Sequence, residues 1–136
     1  MSTEERFHQA TCDCGRLQVR IRGALPASSL CHCFACQRRT GSVFGAQVRV
    51  AKHRVERSGT STVYVRRGDS GGVVEQHFCP TCGSTVFWTV DGLPDSVIVA
   101  SGAFADPDLP APTFSVYRAR KHPWVTLPAS VVDDWE

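Results

Sequence analysis

The stretch Phe78-Cys-Pro-Thr-Cys-Gly-Ser84 decides how this chain is read. A Cys-x-x-Cys turn lets two thiolates converge on one tetrahedral cation, and a glycine directly after it takes the left-handed backbone that closes a metal knuckle. Outward from it, a shorter counterpart, Cys12-Asp-Cys14-Gly15, lies near the N-terminus, and Cys31-His-Cys33-Phe-Ala-Cys36 stands between the two. All 7 cysteines of the 136-residue chain fall in these three clusters.

Metal binding is the expected use of these thiols. An odd number of cysteines cannot pair off within one chain, and Met1-Ser-Thr-Glu-Glu-Arg-Phe-His-Gln-Ala10 carries acids where a secretory signal needs a basic and then an apolar segment. The expected compartment is the cytoplasm, where thiols stay reduced. The natural partition puts Cys12, Cys14, Cys79 and Cys82 on one closed, structural four-thiolate site that fastens the start of the chain to its middle. It leaves Cys31, Cys33 and Cys36 with no fourth cysteine. Structural zinc normally has four protein ligands, whereas catalytic zinc keeps three and leaves a position open, so the triad reads as an open, catalytic zinc site. Two alternatives stand beside this. His32, His53, His77 or a carboxylate could close the second site, although His32 alternates away from its cysteine neighbours in an extended segment. Cys33 and Cys36 could instead pair with Cys79 and Cys82 as a zinc ribbon, which strands Cys12, Cys14 and Cys31. Zinc, two ions per chain, is the expected metal in this sulfur-rich setting.

The rest of the chain reads as an all-β, mainly antiparallel body. Leu17 to Ile21 alternates, and β-rich stretches follow at Val43 to Val50, Val63 to Arg66, Val73 to Phe78, Thr85 to Val90 and Val97 to Ala100. Turn compositions at Gly68 to Gly72 and Asp91 to Asp95 suit hairpin connections. A further strand is expected at Phe114 to Tyr117, and Ser130 could cap a short C-terminal helix through Trp135. Phe78, Phe87 and Trp88 read as core. One domain spans 1–136.

Composition excludes several functions. Hydrophobic residues at 42% and charged residues at 21% suit a globular chain, and no apolar run approaches membrane-spanning length. The formal charge of +2 is too small to make nucleic acid the leading partner, and seven thiolates on two divalent ions would take it below zero. Directly after the triad come Arg38-Arg-Thr-Gly-Ser42. Arg38 and Arg39 suit bidentate contact with carboxylates and read as substrate-binding residues for an acidic small thiol.

These motifs together resemble the glutathione-dependent formaldehyde-activating (GFA) family, also called the centromere protein V domain family, which has the Mss4-like fold. The matching residues are Cys12-Asp-Cys-Gly15, Cys31-His-Cys-Phe-Ala-Cys36, Arg38-Arg-Thr-Gly-Ser42 and Phe78-Cys-Pro-Thr-Cys-Gly-Ser84, with Ser101-Gly-Ala-Phe-Ala-Asp-Pro107 and Trp124 similar to the family's C-terminal part. The likeness covers about residues 8–136. It implies a structural zinc on Cys12, Cys14, Cys79 and Cys82, a second, ligand-accessible zinc on Cys31, Cys33 and Cys36, and an activity that joins formaldehyde to the glutathione thiol as S-hydroxymethylglutathione. The leading expectation is a zinc-dependent carbon–sulfur lyase acting on glutathione or another small thiol and an aldehyde, with His32 and His77 as candidates for proton transfer. The alternatives are a zinc-stabilised module whose Arg38, Arg39, Arg66 and Arg67 bind protein or nucleic acid, and a thiol or metal sensor without turnover.

Overall fold

The computed structural model describes residues 6–68 and 70–134 and is mainly β. Among the described residues, eleven strands form two sheets. The smaller holds β1 (Phe7–Thr11), β2 (Gln18–Arg22) and β5 (Val55–Ser58), with β2 in the middle and both pairings antiparallel. The larger sheet is built from β3 (Ser29–Cys31), β4 (Gly45–Ala51), β6 (Thr62–Arg67), β7 (Val73–Phe78), β8 (Thr85–Val90), β9 (Ser96–Ala100), β10 (Phe114–Val116) and β11 (Asp133–Asp134). Their order across the sheet is β11-β10-β3-β4-β9-β8-β7-β6.

Most of this matches the alternation of the sequence, with three differences. β10 runs parallel to both β3 and β11, so the large sheet is mixed at one end. No helix starts at Ser130: residues 133–134 form a strand beside β10, and Trp135 lies outside the described residues. A short α-helix, α1 (Phe34–Thr40), instead follows Cys33, contains Cys36 and leads to the next strand.

The large sheet has two distinct faces because side chains alternate along each strand. Pairing aligns Val48 with Val99 and Val99 with Phe87, and these three are fully buried against the small sheet's Val19 and Ile21. The next residues along, Arg49, Ile98 and Trp88, align in the same way on the opposite face. The pairing of β7 with β8 skips Val86, which leaves an extra residue between Thr85 and Phe87. This bulge lets Val86 and Phe87 both enter the core, although they are consecutive.

Candidate metal centres and the adjoining cleft

The first cysteine group is built by two turns with the same local chemistry. After β1, the Gly15 N–H donates to the Cys12 carbonyl at 3.1 Å and the Leu17 N–H donates to Cys12 Sγ at 3.2 Å. After β7, the Gly83 N–H donates to the Cys79 carbonyl at 2.8 Å and the Thr81 N–H to Cys79 Sγ at 3.4 Å. Gly15 and Gly83 both have φ of 83°, a left-handed value that costs a Cβ-bearing residue strain. Cys12 and Cys14 come from the small sheet's first hairpin and Cys79 and Cys82 from the large sheet, so the group bridges the two layers.

The sulfur geometry fits a metal. The Cys12, Cys14, Cys79 and Cys82 sulfurs lie within 4.8 Å of one another, with Cys14 3.6 Å from both Cys12 and Cys79. Zinc–sulfur bonds of about 2.3 Å at tetrahedral angles put neighbouring sulfurs about 3.8 Å apart. The backbone N–H of Ser84, followed by that of Cys14, draws the Cys82 thiol down to about 5, which favours the thiolate a metal needs.

The second group is assembled by β3 and α1. Cys31 ends β3, Cys33 is the N-cap of α1 with φ of −62° and ψ of 153°, and Cys36 lies in the first turn. The Cys33 sulfur accepts the Cys36 N–H at 3.3 Å, taking the place of a capping oxygen. At the other end, Gly41 closes the helix at φ of 69° with its N–H on the Gln37 carbonyl, and Thr40 Oγ1 donates to the Cys36 carbonyl. The three sulfurs lie within 4.8 Å of one another and are all buried. Hydrogen bonds from Cys31 and Cys36 hold the Cys33 thiol far below its ordinary range, while the same contacts push Cys31 up. Protons are thus shared unequally among three crowded thiols, an arrangement a divalent cation relieves by accepting all three as thiolates. Both cysteine groups could hold metal ions, and their donor sets fit zinc.

No histidine or carboxylate joins the triad among the described residues. His32 is fully buried with Nε2 on the Ser115 hydroxyl at 2.8 Å, on the side of β3 away from Cys31 and Cys33. His77 stacks on Phe87 at 4.3 Å between ring centroids, and its Nδ1 meets Ser61 Oγ at 2.8 Å. Burial lowers the pKa of each. His53 is exposed in the short turn between β4 and β5. None of the three faces the triad, so the structure brings neither proton-transfer candidate to it.

The triad stands at one wall of a cleft of about 530 Å³ on the outer face of the large sheet. Ile98, Trp88, Val90 and Val74 provide an apolar floor, and Gln47, Arg49 and Arg66 stand among its polar groups with Ser29, Ser70 and Tyr117. The two expected arginines separate. Arg39 lies with its Cζ 4.3 Å from the centroid of Trp88, beside Cys36, and burial lowers its pKa while Cys36 opposes the shift. Arg38, one position earlier on α1, is exposed and does not line the cleft. Trp88 is buried, as expected of a core residue, but on the cleft face rather than between the sheets. The cleft's Gln47, Arg49 and Trp88 were accessible to sequence reasoning only through strand alternation: each occupies the position next to a core residue, Val48 or Phe87. Arg66 stood out in the sequence only as part of a basic group.

With this geometry in hand, the comparisons with known proteins bear on the site. A crystal structure of a Rhodobacter sphaeroides protein, determined by structural genomics, is similar over 94% of this chain and 99% of its own, with a TM-score of 0.57 and 16% identity, a likeness of fold. No curated protein matches the sequence. The profile of the family described as glutathione-dependent formaldehyde-activating enzyme matches residues 7–120, a stretch that contains both cysteine groups, α1 and the strands that floor the cleft. The chain belongs to the glutathione-dependent formaldehyde-activating enzyme family.

Proposed function

We propose that this chain is a single-domain zinc protein that catalyses the reversible joining of a small thiol to an aldehyde, the chemistry of a carbon–sulfur lyase. In this reading Cys12, Cys14, Cys79 and Cys82 hold a structural zinc, and Cys31, Cys33 and Cys36 hold a second zinc with one position open. The observation that carries it is the placement of a three-thiolate group at the wall of a substrate-sized cleft, with no fourth protein donor among the described residues. The family description supports the same chemistry.

Zinc held by the triad supplies a Lewis acid that keeps a bound thiol as thiolate near neutral pH. The chain's own residues do the rest. Cys33 and Cys36 are held in register by the helix cap, and Arg39, fixed on Trp88, sets a positive charge beside the thiolates. The apolar floor limits water around the reacting carbon, while Arg49 and Arg66 orient an anionic group. In the joining direction a sulfur lone pair forms the C–S bond, the C=O π pair moves to oxygen, and that oxygen takes a proton. The thiol's own proton has gone to solvent. In this reading solvent at the cleft mouth carries the proton in both directions.

The binding-module reading finds its four arginines divided: Arg38 and Arg67 are exposed, whereas Arg66 lines the cleft and Arg39 packs on Trp88. Exchange spectroscopy of ¹³C-formaldehyde with a thiol tests the enzymatic reading. The zinc-loaded protein should speed hemithioacetal exchange above the uncatalysed rate, and Cys36→Ser should not. Equal rates with and without protein would refute turnover.

A further inference from the structure

Resting on the proposed open metal site, we infer that the thiol partner of this chain is an apolar-bodied thiol with a single carboxylate and no ammonium group, rather than a zwitterionic peptide thiol. Three features of the cleft point to it. Its floor offers Val74, Trp88, Val90 and Ile98, a surface that gains from covering only if the ligand's body is itself apolar. Its described charged lining is Arg49 and Arg66, with no acidic side chain. An ammonium group at the Arg49 and Arg66 end of the cleft would meet like charge.

Buried polar atoms around the triad supply the third feature. Arg39 Nη2, Gln47 Oε1 and Arg66 Nε are buried without a hydrogen-bond partner. Arg39 Nη2 and Gln47 Oε1 both border the space that a side chain on Gly45 would fill, at 2.7 and 3.7 Å from that Cβ position. Gly45 pairs with Cys31 across β3 and β4, so these atoms lie against the triad. Arg39 Nη2 and Arg66 Nε are donors, whose unmatched burial costs stability in the free protein that a ligand anion recovers on binding, whereas Gln47 Oε1 is an acceptor that only a ligand donor satisfies.

Charge balance agrees. Three thiolates and a divalent ion leave one negative charge, which Arg39, Arg49 and Arg66 exceed by two; a thiolate and one carboxylate close the difference. Glutathione reaches the same net charge only by adding a second carboxylate and an ammonium, and its backbone covers the floor with polar groups.

Calorimetry on the zinc-loaded protein tests this with 6-mercaptohexanoate, 6-mercaptohexanol, 6-aminohexane-1-thiol and glutathione. We expect 6-mercaptohexanoate to bind about tenfold or more tighter than either the amine or glutathione. Arg66→Gln should remove most of that advantage while leaving 6-mercaptohexanol unchanged; Arg66 is on an edge strand, where glutamine is readily accommodated. The thiol-free pair 4-phenylbutyrate and 4-phenylbutylamine asks the same question without a sulfur ligand, and the carboxylate should win. Glutathione binding as tightly as 6-mercaptohexanoate, or no preference for carboxylate over amine in either pair, would overturn the inference. If no thiol alters the absorption of cobalt-loaded protein, the open-site reading fails, and the thiol-free pair still decides the ligand class.

Discussion

The Arg39 guanidinium lies over the Trp88 indole, with Cζ 4.3 Å from the ring centroid. The contact joins α1 to the floor of the cleft and exists because position 45 is glycine: a Cβ there would stand 2.7 Å from Arg39 Nη2. Gly45→Ala should therefore displace Arg39 and cost about 0.5–2 kcal/mol, the range of a partly desolvated cation–π contact. In an Arg39→Ala background the same substitution should cost much less. A double-mutant cycle by denaturant unfolding measures the difference, and strict additivity would show that Gly45→Ala does not act through Arg39.

Neighbouring residues on β9 should respond oppositely to truncation. Val99 is fully buried between the sheets, so Val99→Ala should lower stability by about 2 kcal/mol. Ile98 faces the cleft, so Ile98→Ala should cost less than about 1 kcal/mol and instead weaken binding of thiols with apolar bodies. Unfolding curves and calorimetry on the two variants separate these effects. Equal destabilisation would mean that the sheet does not divide core from cleft at this strand.

The two cysteine groups should fail differently. Cys79→Ser breaks the group that links the two sheets at a position with no exposure, and we expect an unfolded or insoluble protein. Cys33→Ser keeps a good N-cap for α1, since a serine oxygen accepts the Cys36 N–H as the sulfur does. That variant should fold with a native circular dichroism spectrum and hold about one zinc fewer by elemental analysis. Unfolded Cys33→Ser protein would make the triad structural.

Chelation should follow the same order. A site with three protein donors should release its metal to a mild chelator before a site with four, and both should release more readily as pH falls, because protons compete for thiolates. Time-resolved metal release, monitored with a colorimetric chelator at several pH values, should show two phases. The folded signal should be lost only with the second.

The β body was legible because its long strands are runs of β-branched and aromatic residues bounded by turns; Val73–Phe78 and Thr85–Val90 have the expected ends. Other elements left little pattern to read. In β1 only Ala10 is buried, and β3 is three residues long, held mainly by pairing with β4 and β10. The seven-residue α1 is capped by a cysteine rather than a usual capping residue, so its start carries no ordinary signal. Both cysteine groups could be read from spacing, because each ligand pair sits in a local turn. The cleft could not, since its floor depends on the lateral register of several strands. Arg66 lines it and Arg39 packs on its Trp88, from distant parts of the sequence.

The most direct test of an open, thiol-accepting metal at Cys31, Cys33 and Cys36 is titration of cobalt-loaded protein with 3-mercaptopropionate, followed by visible and near-ultraviolet absorption. The account predicts two cobalt ions per chain and a new sulfur-to-cobalt band that saturates at one thiol per chain. The band should be absent from Cys33→Ser. An unchanged spectrum at saturating thiol, with both metals bound, would show that the triad's coordination is already closed and would contradict the account.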